Sequence, residues 1–288
     1  GSYRIGGGRD FVIEGDEYDS AFFDKTAKFL KYLPDIAVVG NIEFDHADIY
    51  ADLDAIRLTF ARFVNLIPRR GLLLVGADNA DAMALRTRAH CRVETFGLAD
   101  GADWQAHDLS VTGTATEFRV RRAGIQIGTF EVPLLGAFNV RNALAAIAVG
   151  AAVGLSTDTM VGSLKRFKGV RRRMQHRGTV RGVAVYDDFA HHPTAIGETL
   201  AGVRSAYPGR RVWAIFEPRS ATSCRRAACI RHSTAATTGT RACTCTGCWR
   251  AFAGWCRTCR NARPSTPCST GTWRRRRSRR SARISRGR

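Results

Sequence analysis

The first 222 residues of this 288-residue chain are almost without cysteine. Only Cys91 lies there, whereas the other eight of the nine cysteines lie at or beyond Cys224. A single cysteine excludes a disulfide framework in that part and is typical of a reducing compartment, so we expect a cytoplasmic protein. The chain has no run apolar enough to cross a membrane and no secretory signal at its start. It begins without a methionine, which suggests a fragment.

The last part of the chain lacks other residue types. Residues 223–288 contain no Leu, Val, Asp, Glu or Lys but hold 17 arginines, out of 45 basic residues in all. Residues 1–222 therefore carry 28 basic and 25 acidic residues, and most of the net charge of +20 lies in the tail. Without Leu and Val the tail cannot bury enough apolar surface to offset its chain entropy, so we expect disorder. Its alphabet is that of GC-rich DNA translated out of frame, which is the interpretation we favour.

Two functional alternatives apply to this tail. Five of its cysteines have the spacing of thiolates that close a tetrahedral zinc site: Cys243, Cys245, Cys248, Cys256 and Cys259. The run Arg274–Arg277 is suited to gripping nucleic-acid phosphates without sequence preference. Either alternative would make the tail, rather than the body, the functional part of the chain.

The body, residues 1–222, alternates between β-rich runs and helical patterns. Apolar residues at steps of three and four predict a helix over 46–68, and an Ala-rich run predicts another over 139–154. The segment 118–132 reads as a hairpin that turns at Ala123–Gly124. Strands are predicted at FVIEG (11–15), IAVVGNI (36–42), LLLVGA (72–77), VAVYDD (183–188) and VWAIFEP (212–218). Such alternation favours an α/β fold, in which ligands bind at the carboxyl ends of the strands.

Acidic side chains follow two of these predicted strands. The block IEGDEYD carries Glu14, and the block NIEFDHAD carries His46 among acids. Carboxylates in such loops are well placed to hold Mg²⁺ at nucleotide phosphates. The competing interpretations are a solvated acidic loop for the first block and a helix-capping cluster for the second.

Three further blocks carry polar side chains that suit a nucleotide. Asn139 and Asn142 lie one turn apart at a predicted helix start, where amides can read a base edge, although Asn139 could also serve as a cap. The run Arg171–Arg173 suits phosphate, unless it is an ordinary charged surface. In VYDDFAHHPTAI, two acids and two histidines follow a strand, which packing alone explains poorly.

Taken in order, these five blocks resemble the ATP-dependent Mur ligases of peptidoglycan synthesis. The resemblance covers about residues 10–222 and rests on FVIEGDEYDSAFFDK, NIEFDHADIY, GAFNVRNALAAIA, FKGVRRRMQ and VYDDFAHHPTAI. The details EYDSAFFDK, RRRMQ, DDFAHHP and FEPRS favour the recycling branch, which joins UDP-N-acetylmuramate to the muropeptide L-Ala-γ-D-Glu-meso-diaminopimelate. The branch that joins UDP-N-acetylmuramate to L-alanine is the alternative.

The resemblance implies ATP and Mg²⁺ as cofactors and assigns roles to individual residues. It makes Glu14 and His46 metal ligands. It places Asn139 and Asn142 at the adenine, Arg173 at the phosphates and Asp188 at the ribose. It puts His191 and His192 in the catalytic cleft and makes Arg219 a weaker candidate for substrate contact.

The same resemblance predicts the domain organisation. Residues 1–172 would form a central ATP-binding domain with a mostly parallel sheet and flanking helices. Residues 173–222 would start a Rossmann-like C-terminal domain, and residues 223–288 would be the tail. Phe138 stands where the family often has His, and the phosphate-binding loop G-x-x-x-x-G-K-[ST] is absent. We therefore expect this chain to be inactive as a ligase on its own.

Overall fold

The computed structural model describes residues 5–215 and the main chain of residues 241–243. The chain divides into two compact units, of which the first holds the described residues up to Val212. The second holds β11 (Trp213–Ile215) and β12 (Arg241–Cys243), which pair in parallel. The tail that we expect to be disordered, residues 223–288, lies outside the described residues apart from the main chain of β12.

The first unit begins with a small hairpin and continues into a six-stranded sheet. The hairpin consists of β1 (Asp19–Ala21) and β2 (Asp24–Ala27), which are antiparallel. The strand order of the large sheet follows the chain: β3 (Ile36–Val39), β4 (Leu72–Gly76), β5 (Arg92–Gly97), β6 (Trp104–Thr112), β7 (Ala115–Arg122) and β8 (Ile125–Val132). The strands from β3 to β6 pair in parallel and those from β6 to β8 are antiparallel. The sheet is therefore mixed, with a parallel half that carries the polar loops.

Helices cover both faces of this sheet. Their bounds are α1 (Leu53–Val64), α2 (Ala80–Ala84), α3 (Ala137–Ala152), α4 (Thr157–Lys165) and α5 (Pro193–Ala206). Asp52, Asn79 and Ser156 each accept a hydrogen bond from the helix they precede, which satisfies one of the free N–H groups there. The helix expected over 46–68 is shorter than predicted because Asp52 caps it.

Strand β4 explains why both faces need covering. Leu72 and Leu74 face a core shared with α3, whereas Leu73 and Val75 face a second core shared with α1. A strand buried on both faces reads as an unbroken apolar run, as LLLVG does.

The predicted hairpin at 118–132 is confirmed, and the predicted strand at 11–15 is wrong. Strand β7 ends at Arg122 and β8 begins at Ile125, while Ala123 and Gly124 have φ of 48° and 80°. Positive φ at both central residues is the geometry of the tight turn that suits twisted strands. Residues 11–17 form no strand, and Phe11 is 84% exposed. Within the described part of the chain no neighbouring strand pairs with them, and β-rich residues do not form a strand alone.

Residues after α4 form a smaller element of the same unit. Strands β9 (Gln175–Val180) and β10 (Val183–Asp187) pair in an antiparallel ladder of two strands, and α5 follows after a short loop. The prediction of VAVYDD as a strand is confirmed, although the strand lies outside the large sheet.

Among the described residues no helix has the length and apolarity that a membrane crossing requires.

Truncation of a buried side chain in β4 should lower stability strongly. Leu74 is fully buried, so we expect Leu74→Ala to lower the free energy of unfolding by about 3–5 kcal/mol through lost burial and a residual cavity. Leu58 on α1 is 53% exposed, and Leu58→Ala should change stability by less than about 1 kcal/mol. Urea denaturation of the two variants measures the difference. Equal losses would contradict the assignment of Leu74 to the core.

Candidate active site

A cavity of about 480 Å³ lies at the carboxyl ends of β3 and β4. Its lining comes from loops that are distant in sequence. They include the segment before β1, the segments after β3 and after β4, the first turns of α3, and the region from Arg173 to α5. The lining includes Glu17, Gly40, Asn41, Glu43, Asp45, His46, Gly76, Asp78, Asn79, Phe138, Arg141, Asn142, Arg173, Asp188, His192, Glu198 and Thr199. This is the edge of a parallel sheet at which ligands bind.

Glu17, rather than Glu14, is the carboxylate that meets His46. The Glu17 Oε2 atom lies 3.3 Å from His46 Nε2, and the Glu17 main-chain oxygen accepts a hydrogen bond from Tyr50 Oη at 2.9 Å. Burial raises the pKa of the Glu17 carboxyl, against the opposing effect of His46. Glu14 is exposed and does not line the cavity. The metal role of Glu14 stays a prediction, but its proposed position after a strand is wrong because no strand forms there.

His46 is held in a constrained conformation. Its φ of 55° lies in the left-handed region, which side-chain-bearing residues adopt at a cost. Its N–H donates to Asp45 Oδ1 at 2.8 Å, and its carbonyl accepts from Ile49 N at 2.8 Å and Tyr50 N at 3.0 Å. The Tyr18 ring packs against the imidazole, with centroids 4.4 Å apart. These contacts fix the imidazole at the cavity wall.

The two histidines of the DDFAHHP block reach the acids that follow β3. His192 Nδ1 lies 2.9 Å from Glu43 Oε2, and His191 Nε2 lies 3.4 Å from Asp45 Oδ2. His192 lines the cavity, whereas His191 and Glu14 do not, and the catalytic roles of the two histidines stay predictions.

Asp188 and Arg173 both line the cavity, and Asp188 is tied to the residue that follows Arg173. Asp188 Oδ2 accepts from Met174 N and Oδ1 accepts from Ala190 N, each at 2.8 Å. The carboxylate therefore joins the turn that carries Arg173 to the loop that carries His192. Its contact with a ribose remains a prediction.

The two asparagines of α3 have different environments. Asn142 lines the cavity, whereas Asn139 is 7% exposed and donates from Nδ2 to Leu135 O at 2.8 Å. Gly136 precedes the helix, so Asn139 is not its cap. Asn139 supports the loop before α3, and Asn142 is the amide that lies in the cavity.

Sequence reasoning missed a charged cluster beside Asn142. The Arg141 guanidinium pairs with Glu198 of α5 and lies 3.8 Å from Asp78 Oδ2. Asp78 in turn accepts hydrogen bonds from Leu98 N and Ala99 N. A charged residue between the two asparagines of an Ala-rich helix was the available signal for Arg141. No local pattern pointed to Glu198.

The donor atoms of this cavity suit Mg²⁺ without forming a complete cage. Among residues 5–215, no three His, Cys, Asp or Glu side chains are grouped as a metal site. Carboxylate oxygens such as those of Glu17 and Asp45 are hard ligands, and one or two suffice when phosphates and waters complete the coordination. The side chains therefore fit a magnesium ion that a nucleotide brings with it.

Comparison with known proteins places the chain. The family model "Mur ligase middle domain" matches residues 7–150, and "Mur ligase, glutamate ligase domain" matches residues 172–241. The chain belongs to the Mur ligase family. The second match runs past residue 222, where we had placed the end of the ligase-like sequence.

Two curated Mur ligases illustrate the degree of similarity. The UDP-N-acetylmuramate–L-alanyl-γ-D-glutamyl-meso-2,6-diaminoheptandioate ligase of Escherichia coli (strain K12) is 41% identical over 222 residues, which is 77% of this chain and 48% of that protein. The UDP-N-acetylmuramate–L-alanine ligase of Solibacter usitatus is 42% identical over 219 residues, which is 76% of this chain and 45% of that protein. The chain thus spans about half the length of the curated relatives it matches.

Solved Mur ligase structures support the same fold. A murein peptide ligase from Psychrobacter arcticus is 41% identical with a TM-score of 0.54, covering 73% of this chain and 43% of that one. MurF from Acinetobacter baumannii has a TM-score of 0.60 at 18% identity, covering 70% of this chain and 43% of that one, and shows the fold alone. The α/β class predicted from the sequence is confirmed.

Three predictions of the sequence lie outside the described residues. Arg219 lies beyond Ile215, the last described residue before the gap, so its contact with substrate stays a prediction. The same holds for the zinc alternative at Cys243–Cys259 and for phosphate binding by Arg274–Arg277. Only the main chain of Cys243 is described, as the end of β12.

Proposed function

We propose that the cavity binds Mg-ATP as the nucleotide site of a cytoplasmic amide-bond-forming Mur ligase. One observation carries the proposal: the acids after β3, Asn142 of α3 and Arg173 line a single cavity at the edge of a parallel sheet. The proposed domains are residues 1–172 for the central ATP-binding part and 173–222 for the start of the C-terminal part.

In the reaction that we propose for a complete enzyme of this family, the residues of this chain position the substrates and neutralise charge, although the chain on its own is expected to be inactive. A carboxylate of UDP-N-acetylmuramate attacks the γ-phosphorus of ATP and releases ADP, and an amine then attacks the acyl phosphate to form the amide, releasing phosphate and a proton. Arg173 would bind phosphate oxygens with its guanidinium, and Asn142 would hydrogen-bond the base. A carboxylate of Glu17, Glu43 or Asp45 would hold Mg²⁺, which would neutralise charge at the phosphates. Such catalysis depends on placement of charge more than on covalent chemistry by the protein.

We expect neutralisation of Arg173 to weaken nucleotide binding. Titration calorimetry of the full chain with Mg²⁺ and the non-hydrolysable analogue AMP-PNP measures the affinity. Arg173→Gln should lower it about tenfold or more, because a charge-assisted hydrogen bond contributes about 1.5–3 kcal/mol. Arg171→Gln is the matched control, since Arg171 is exposed like Arg173 but does not line the cavity. No binding by the unchanged chain would contradict the nucleotide site itself.

We further propose that the amine substrate is L-Ala-γ-D-Glu-meso-diaminopimelate. The support is the set of sequence details EYDSAFFDK, RRRMQ and DDFAHHP together with the Psychrobacter and E. coli relatives. The Solibacter relative, at 42% identity, favours L-alanine as the alternative. Ligands that bind at two coupled sites change each other's affinity, so the tripeptide should shift the AMP-PNP affinity and L-alanine should not. A shift with L-alanine alone would favour the alternative.

A further inference from the structure

An arginine between two acids lies at the junction of α3, α5 and the loop after β4. Arg141 pairs with Glu198 of α5 on one side and lies 3.8 Å from Asp78 on the other. All three side chains are partly buried, with 26%, 37% and 23% exposed. Ion pairs that are partly shielded from water are screened less than those on open surface.

Helix α5 touches the start of α3 at a second point. A Cβ atom on Gly202 would lie 3.0 Å from Gly136 Cα, so the two backbones are almost in contact. Glu198 and Gly202 are four residues apart and therefore share one face of α5. One face of this helix is thus docked by an ion pair and, one turn later, by a close backbone approach.

The docking of α5 determines where the histidine loop lies. His192 immediately precedes the helix, and Pro193 is its first residue. Because a helix is stiff, a shift of α5 carries His192 away from Glu43, which it contacts at 2.9 Å. The same shift moves the wall formed by Ala195, Glu198 and Thr199.

We propose that Arg141 is a positioning residue that latches α5 onto the cavity by neutralising Asp78 and Glu198. The proposal rests on the nucleotide site proposed above. Without Arg141, two carboxylates face each other across the wall, and their repulsion favours an undocked α5. Since only the docked form has a complete cavity, nucleotide affinity falls with the docked fraction. The repulsion predicts an order of nucleotide affinity. Removal of Arg141 lowers the affinity more than removal of Glu198 does, and removal of both lowers it less than removal of Arg141 alone.

The test uses the full chain and two measurements. Hydrogen exchange of residues 193–206 without ligand reports docking, and titration with Mg²⁺ and AMP-PNP reports affinity. Arg141→Gln should speed exchange and weaken affinity about tenfold, and Glu198→Gln should do less. The double variant Arg141→Gln/Glu198→Gln should recover part of both losses. Arg57→Gln is the matched control, because Arg57 also bridges two acids, Asp54 and Asp81, away from the cavity.

The outcomes distinguish electrostatic docking of α5 by Arg141 from a simple loss of packing. Unchanged exchange and affinity in Arg141→Gln would overturn the proposal. A double variant with weaker affinity and faster exchange than Arg141→Gln would also overturn it. Loss of packing at two residues would add up, whereas removal of Glu198 should relieve the repulsion that loss of Arg141 creates. If the unchanged chain fails to bind AMP-PNP, the proposed function fails, and the exchange pattern still decides whether Arg141 docks α5.

Discussion

Gly76→Ala should be among the most damaging single substitutions in the chain. A Cβ atom at Gly76 would lie 1.9 Å from the carbonyl oxygen of Gly40 and 2.9 Å from its carbonyl carbon. The obstructing atoms are main chain of Gly40, directly after β3, which pairs with β4, so no side chain can rotate out of the way. We expect a loss of about 3 kcal/mol or more in the free energy of unfolding, at or above the upper end of the usual cost of overpacking. Urea denaturation measures it.

The partner in this contact provides the control. A Cβ atom on Gly40 meets nothing within 4 Å, and Gly40 has an ordinary backbone conformation. Gly40→Ala should therefore change stability by no more than about 0.5 kcal/mol, although the two glycines touch each other. Similar losses in both variants would contradict the close approach of β3 and β4.

The close approach of Gly76 to Gly40 also helps to place the loop that lines the cavity. The residues that follow Gly40 include Glu43, Asp45 and His46, and all three line the cavity. Separation of the strand ends would move this loop as a whole. Gly76→Ala should consequently weaken AMP-PNP binding even at temperatures where the variant stays folded.

Much of the sheet and its helices follow from patterns that the sequence displays directly. The run LLLVG predicts a strand buried on both faces, and the pair Ala123–Gly124 predicts the hairpin turn. The prediction of a strand at FVIEG was wrong because its residues have no partner strand in the part of the chain that the structure describes. Its residues favour strands, but that preference depends on a neighbouring strand and a face to bury, and neither exists for residues 11–15 among the described residues.

The candidate site was predictable in composition but not in pairing. Five of the blocks that supply its lining were recognised, because polar side chains after strands are conspicuous, but the segment after β4 with Asp78 was missed. Which acid meets which histidine was not recognised, since Glu43 and His192 are about 150 positions apart and only the packed chain brings them together. Asn139 shows the same limit, because its Nδ2 donates to Leu135 O, a partner that the sequence did not indicate, and its contact with the adenine stays a prediction.

The second large effect is expected from Asp188→Ala. Both oxygens of Asp188 accept main-chain N–H groups, from Met174 and Ala190. Truncation leaves two donors without an acceptor, at about 1–3 kcal/mol each where water cannot replace it. The turn with Arg173 and the loop with His192 then lose their common anchor, and AMP-PNP affinity should fall about tenfold to a hundredfold.

Two further variants separate this anchoring role from a simple loss of charge. Asp188→Asn keeps the size and one accepting oxygen, so its affinity should lie between those of the unchanged chain and Asp188→Ala. Asp187→Ala removes the neighbouring carboxylate, which pairs with Arg177 at 3.1 Å and does not line the cavity, and should change affinity by less than about threefold. Calorimetry on the three variants gives the order directly. If Asp187→Ala weakened binding as much as Asp188→Ala, net charge near the cavity would explain both losses, and the anchor formed by the two main-chain hydrogen bonds would not be needed.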